Sequence, residues 1–141
     1  MIEVLEEQGL KELQILIADR YRYVDSSTEL SILSQDSTTS HILGLFSPGE
    51  MPMSLRGRSP SLAEMTTAGI DILDRNPNGF FLLVENEGSD TYSHRNLDRE
   101  VLVAEMLEFD DAVGIALSYF REHPETLIVV TSDHETGGIT L

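Results

Sequence analysis

Gly79-Phe80-Phe81-Leu82-Leu83-Val84-Glu85 is an unbroken apolar run of strand length, closed by a carboxylate. A continuous run, as opposed to an alternating one, is what a strand covered on both faces requires. Downstream, Leu102, Met106, Phe109, Val113, Ala116 and Phe120 recur at steps of four and three residues. That spacing predicts a long helix over 98–122 with these side chains in the core, ended by His123-Pro124. Thr126-Leu127-Ile128-Val129-Val130-Thr131 then reads as a second buried strand. Upstream, Ser61-Leu62-Ala63-Glu64 has the form of a capping box. Leu62, Met65, Gly69 and Ile72 follow it as a helical stripe, and Asn76-Pro77-Asn78-Gly79 stops the helix. Helix, strand, helix, strand contains a βαβ unit with parallel strands, so the expected class is α/β with helices covering a mostly parallel sheet.

The first half is patterned more weakly. Residues 21–24 and 41–46 read as short strands, with Ser26 or Ser27 capping a short helix through Leu33. Residues 10–18 fit helix or strand equally. Residues 47–58 contain Pro48, Gly49, Pro52 and Gly57 and read as an irregular loop. A length of 141 residues is expected to form one α/β domain over 1–141.

Composition narrows the function. Lys+Arg is 9 against Asp+Glu 25, a formal charge of −16, with Lys11 the single lysine. Nucleic acid and anionic membrane both need clustered cations, so neither is an expected partner. The absence of Cys excludes disulfides, thiolate metal sites and cysteine nucleophiles. The apolar runs are strand-sized, too short to span a bilayer. Met1-Ile2-Glu3 is acidic from the outset, so no signal peptide is expected in this chain.

In open α/β sheets, ligands bind beyond the carboxyl ends of the strands. The two predicted strands end in Glu85 and in Asp133-His134, and the first is followed by Asp90 and His94. Parallel neighbours would bring these groups to one edge. Oxygen and nitrogen donors without thiolate suit Zn²⁺, Mn²⁺ or Fe²⁺, and an all-oxygen subset suits Mg²⁺. Each motif alone is of a kind that chance supplies, and position and spacing leave a metal site, an acid/base site and a solvated polar loop all open.

Residues 79–85, the loop to His94, and Thr131-Ser132-Asp133-His134-Glu135-Thr136-Gly137-Gly138 resemble the alkaline phosphatase family. The likeness extends upstream to Gly44-Leu45-Phe46, Met51-Pro52 and Pro60-Ser61-Leu62-Ala63-Glu64-Met65-Thr66, in the same order. The resemblance implies a partial three-layer αβα fold and a phosphate monoester hydrolase dependent on zinc and magnesium. Under it, Glu85 matches the Mg²⁺ ligand, Asp90 and His94 two ligands of the first Zn²⁺, and Asp133 and His134 two ligands of the second. It also implies a phosphate monoester as substrate, a homodimer, and a periplasmic or extracellular location.

There are departures from the family pattern. In Val84-Glu85-Asn86-Glu87-Gly88-Ser89-Asp90, Ser89 replaces the usual Ile and Glu87 adds a carboxylate. The stretch from His94 to Phe109 is one residue longer than usual. No Asp-Ser-Ala nucleophile segment occurs in these 141 residues, and no catalytic residue is assigned. The expectation is therefore a portion of the catalytic domain, holding two ligands for each zinc and one for magnesium, with doubtful metal occupancy and no activity alone. The alternatives are a non-catalytic acidic module that binds divalent metal or a partner, and a phosphomutase or sulfatase relative, against which the Gly-Leu-Phe and Pro-Ser-Leu-Ala-Glu-Met-Thr segments argue. His41 and His123 are expected to be structural or solvated, Glu87 and Glu135 to be loop carboxylates, and Arg56 and Arg58 to match no phosphate ligand.

Overall fold

The computed structural model describes residues 20–138. Its sheet is a parallel pair, β1 (Arg22–Val24) and β2 (Ile42–Gly44), in the register Arg22 to Ile42, Tyr23 to Leu43 and Val24 to Gly44. The crossover between them is α1 (Ser27–Gln35). Ser26 caps α1 by accepting from the Glu29 amide at 3.3 Å. At the other end, Arg75 donates to the carbonyls of Ser34, Asp36 and Thr39, placing a cation on the negative end of the helix dipole. The patterned but faint first half thus supplies the βαβ unit.

After a loop with one 3₁₀ turn (Ser54–Arg56), α2 runs Leu62–Leu73. The capping box forms as predicted: Ser61 Oγ accepts from the Glu64 amide at 3.1 Å, and Glu64 accepts from the Ser61 amide at 2.7 Å. Val24, Leu30 and Ala68 are the centre of the apolar core, with Leu33, Ile42, Phe46 and Met65 packed on it. Two helices follow, α3 (Glu87–His94) and α4 (Arg99–Glu122). α2 packs on α1 and on α4, and α3 packs on α4.

Two sequence expectations are corrected here. Residues 79–85 and 126–131 form no strand among the described residues, because no backbone hydrogen bond joins either of them to another described segment. Nor are they covered on both faces. Phe81 and Leu83 are 84% and 77% exposed, and Leu127 and Val129 are 85% and 72% exposed, while the residues between them are partly covered. Leu82 is one of these, lying against Gly69 of α2, where an added Cβ would meet its methyl group at 3.3 Å. Along 80–85 the period-2 alternation of an extended chain is present, with one face covered and the other open, whereas in 126–131 it ends at Val129, Val130 being exposed as well.

The second correction concerns α4. Its buried residues are Glu105, Glu108 and Ala112, not the predicted apolar stripe, of which Met106 and Phe120 are exposed. The helix is apolar on two sides, so periodicity could not decide which side meets its neighbours. Arg58 decides it by drawing in the two carboxylates. Arg58 Nη2 lies 2.9 Å from Glu105 Oε2 and Nη1 lies 2.9 Å from Glu108 Oε2, all three side chains being buried. The same guanidinium donates to the Pro52 carbonyl at 2.7 Å. Arg58 is therefore an internal strut. A segment from residues 10–18 lies outside the described residues.

Candidate metal centre

Two of the five predicted ligands sit on α3, a helix absent from the sequence reading because it has no apolar stripe. Its signal was electrostatic: Glu87 and Asp90 fall in the first turn and His94 in the last, each favourable to the dipole. The four-residue interval from Asp90 to His94 places both on one helix face. Asp90 Oδ1 and His94 Nε2 are 3.5 Å apart. Tyr92, on another face, is buried and donates its hydroxyl to the Met51 carbonyl at 3.2 Å, tying α3 to the irregular loop. Arg95 closes the same junction, its Nη2 donating to both carboxylate oxygens of Glu50 at 2.6 and 2.8 Å.

The segment 131–138 brings Asp133 and His134 to this helix. Asp133 Oδ2 lies 3.4 Å from His134 Nε2, which is 4.0 Å from Asp90 Oδ1. The His94 and His134 ring centres are 6.5 Å apart. His94 and His134 therefore both approach Asp90, and Asp133 joins through His134. Glu85 does not join them. It lies two residues before α3, lining a separate cleft of about 100 Å³ with Glu50, Glu87 and Arg58.

Two residues hold the gathering together that the sequence reading did not single out. The Thr136 hydroxyl donates to Asp90 Oδ1 at 2.7 Å and lies 3.1 Å from His134 Nδ1. His134 Nδ1 is also 2.9 Å from the Glu135 carbonyl. Two acceptors around Nδ1 assign the ring proton there in the neutral form, which turns the free lone pair of Nε2 toward Asp133 and Asp90. Gly137 has φ +83°, and a Cβ there would stand 2.6 Å from the Ser93 carbonyl oxygen, so only glycine lets this loop lie against α3. The Thr-Gly pair following Asp-His-Glu was the available signal.

The Glu135 carbonyl, followed by the charge of Asp133, raises the pKa of His134 above the ordinary imidazole value; slight burial opposes this, and Asp90 and Glu135 add to it. His41 and His123 stay outside the centre, as expected. His41 meets Tyr21 edge-on and His123 stacks on Tyr119. Glu135 accepts from the Gly138 amide at 2.6 Å, and Glu87 is an exposed residue of the first turn of α3.

The donor set suits a borderline cation, with imidazole and carboxylate in equal number. Among the described residues, however, no three His, Asp or Glu side chains are arranged to hold one ion. The fit is that of two half-sites, Asp90 with His94 and Asp133 with His134, each offering two of the three or four protein ligands that zinc takes.

Comparison with known proteins places the chain in a family. Residues 6–141 match the sequence profile of alkaline phosphatase. Alkaline phosphatase 4 of Bacillus subtilis is 34% identical over 123 residues, covering 86% of this chain and 26% of that protein. The tissue-nonspecific isozyme of Rattus norvegicus is 41% identical over 115 residues, covering 79% of this chain and 21% of that protein. Among solved structures, a His-to-Glu mutant of TAB5 alkaline phosphatase with Mg bound in the M3 site superposes with a TM-score of 0.77 at 28% identity, over 94% of this chain and 38% of that one. A cold-active alkaline phosphatase from a psychrophilic Shewanella gives 0.71 at 28% identity, over 85% of this chain and 28% of that one. The chain thus spans about a quarter of the length of the curated relatives it matches. With an α/β architecture shared with these enzymes and a match over almost its whole length, the chain belongs to the alkaline phosphatase family.

Proposed function

We propose that this chain is the metal-ligand portion of a phosphate monoester hydrolase, one part of a larger catalytic domain. Asp90 and His94 would hold one Zn²⁺, Asp133 and His134 a second, and Glu85 a Mg²⁺. The observation that carries the reading is the convergence of Asp90, His94, Asp133 and His134 from two separate segments onto one patch. Bound divalent cations would stabilise the charge on the attacking and leaving oxygens of the ester. The chain's own groups prepare the ligands. Thr136 orients the Asp90 carboxylate, and the Glu135 carbonyl holds His134 in the tautomer that presents Nε2.

In this reading the nucleophile comes from elsewhere in the catalytic domain: among the described residues, the serine beside the ligands, Ser132, donates to the His134 carbonyl and not to a base. The 141-residue chain alone is accordingly expected to bind metal weakly and to hydrolyse no aryl phosphate. Substrate recognition by phosphate monoesters, dimerisation, and a periplasmic or extracellular location belong to the same reading. No helix among the described residues is long and apolar enough to cross a membrane. The charge of −16 supports the absence of nucleic-acid or anionic-membrane partners.

The test is a calorimetric titration with Zn²⁺, run beside His94→Ala and Asp133→Ala and followed by an aryl phosphate assay with Zn²⁺ and Mg²⁺. Loss of binding in both variants supports the assignment. Unchanged binding in both removes it, and metal-dependent turnover by the pure chain removes the claim of inactivity. A second reading, a non-catalytic divalent-metal module, is favoured by the absence, among the described residues, of any three His, Asp or Glu side chains arranged around one ion. It would be sustained if joining this chain to the rest of a relative's catalytic domain gave metal binding without hydrolysis.

A further inference from the structure

Beneath the segment that carries Glu85, Asp90 and His94 lies the buried group Arg58, Glu105 and Glu108. Glu105 is wholly buried, and its contacts all point to neighbours of that segment. Its Oε1 accepts from the Ser54 amide at 2.9 Å, its Oε2 faces Arg58 at 2.9 Å, and its backbone carbonyl accepts from the Asn86 side chain at 2.7 Å. Gly88 rests directly on the pair: a Cβ there would stand 2.3 Å from Glu105 Oε2 and 2.8 Å from Arg58 Nη2. Asn86 and Gly88 flank the start of α3, between Glu85 and Asp90 in sequence. Glu108 serves a different neighbour, accepting from the Leu62 amide at 2.8 Å at the start of α2. One guanidinium thus joins two carboxylates with separate duties, one under α3 and one under α2.

We propose that Arg58 and Glu105 are positioning residues for the ligand-bearing segment 85–94, fixing where α3 starts and hence where Asp90 meets Thr136 and His134. The proposal deepens the metal-centre reading and rests on it for its functional meaning. A helix of eight residues with no side-chain cap at Asn86 has little to hold its start in place by itself. A buried ion pair whose carboxylate also accepts from a backbone amide resists displacement, since moving one partner leaves the other charged and unpaired. A shift of α3 by a fraction of its 5.4 Å pitch carries Asp90 out of reach of the Thr136 hydroxyl.

The test uses the full chain with three variants. Glu105→Gln removes the charge of the pair while keeping its shape. Gly88→Ala leaves all charges intact and pushes α3 off the pair. Glu108→Gln perturbs the same guanidinium from the α2 side. Two readouts are taken: Zn²⁺ affinity by calorimetry, with the visible spectrum of the Co²⁺ form, and, in metal-free protein, the nuclear Overhauser contact between Thr136 and Asp90. Expected is a loss of the Thr136–Asp90 contact and about a tenfold weaker Zn²⁺ affinity with an altered Co²⁺ spectrum in Glu105→Gln and Gly88→Ala. Glu108→Gln is expected to lower the melting temperature while keeping both readouts.

Retention of the contact and of Zn²⁺ affinity in both Glu105→Gln and Gly88→Ala overturns the proposal, leaving the pair a stabiliser of the fold alone. Equal loss in all three variants also overturns it, because the effect is then general. Should Glu105→Gln fail to fold, Gly88→Ala decides. If wild-type chain binds no Zn²⁺ or Co²⁺, the metal reading fails separately, and the metal-free contact still judges the positioning.

Discussion

Thr136 donates its hydroxyl hydrogen to Asp90 across 46 residues of sequence, at 2.7 Å, and is the direct hydrogen bond between the two ligand-bearing segments. The same oxygen lies within reach of His134 Nδ1. One side chain therefore sets the direction of a carboxylate from one half-site and an imidazole from the other. Replacing it by valine keeps the shape and removes both contacts. Thr136→Val is expected to weaken Zn²⁺ binding about tenfold, and Thr136→Ser to preserve it. The cost in stability stays near 1 kcal/mol, as for a typical hydrogen bond, and calorimetry with a thermal melt measures the two effects separately.

His134 gives the centre a pH dependence whose sign follows from its raised pKa. Imidazolium is favoured in the folded chain, so its contribution to stability is fully present below the unfolded value of about 6.5 and is lost as pH rises through the folded value. Metal needs the neutral ring, so Zn²⁺ must displace a proton. Zn²⁺ affinity is expected to climb between about pH 6 and pH 8, with proton release on binding. His134→Asn should flatten the stability change over that window. Titrations in buffers of different ionisation heat count the protons.

The alternation along residues 79–85 predicts opposite outcomes for adjacent side chains. Leu82 rests on Gly69 of α2, whereas Phe81 projects from the open face. Leu82→Ala is expected to destabilise by about 2 kcal/mol, the low end for a buried aliphatic truncation. Phe81→Ser is expected to stay within about 0.5 kcal/mol of wild type. Denaturant unfolding of the two variants checks the pair, and equal losses would show that both faces are covered.

The capping box at α2 offers a change remote from the ligands. Ser61→Ala removes the acceptor of the Glu64 amide and is expected to cost about 1 kcal/mol. Zn²⁺ affinity is expected to be unaffected. A melting curve beside a metal titration measures both.

The sequence by itself determined the α/β class, the caps and stops of α2, the extent of α4, and the residues able to donate to a metal. These are local properties. A capping box needs only four consecutive residues, and a helix announces itself by periodicity wherever it packs. The Asp90 to His94 interval is local in the same sense, so the shared face was legible even though the helix carrying it was not.

Only the tertiary structure decided which side of α4 is buried, since Glu105 and Glu108 enter the interior through Arg58, about fifty residues away and in a loop with no regular pattern. It also decided that residues 79–85 and 126–131 stand as extended segments with an open face, because a strand is defined by its neighbour and not by its own residues. The meeting of Asp90 with His134 belongs to that second class. It depends on Thr136 and on a glycine that admits close approach to Ser93, and no spacing along the chain encodes the distance between two segments folded onto each other.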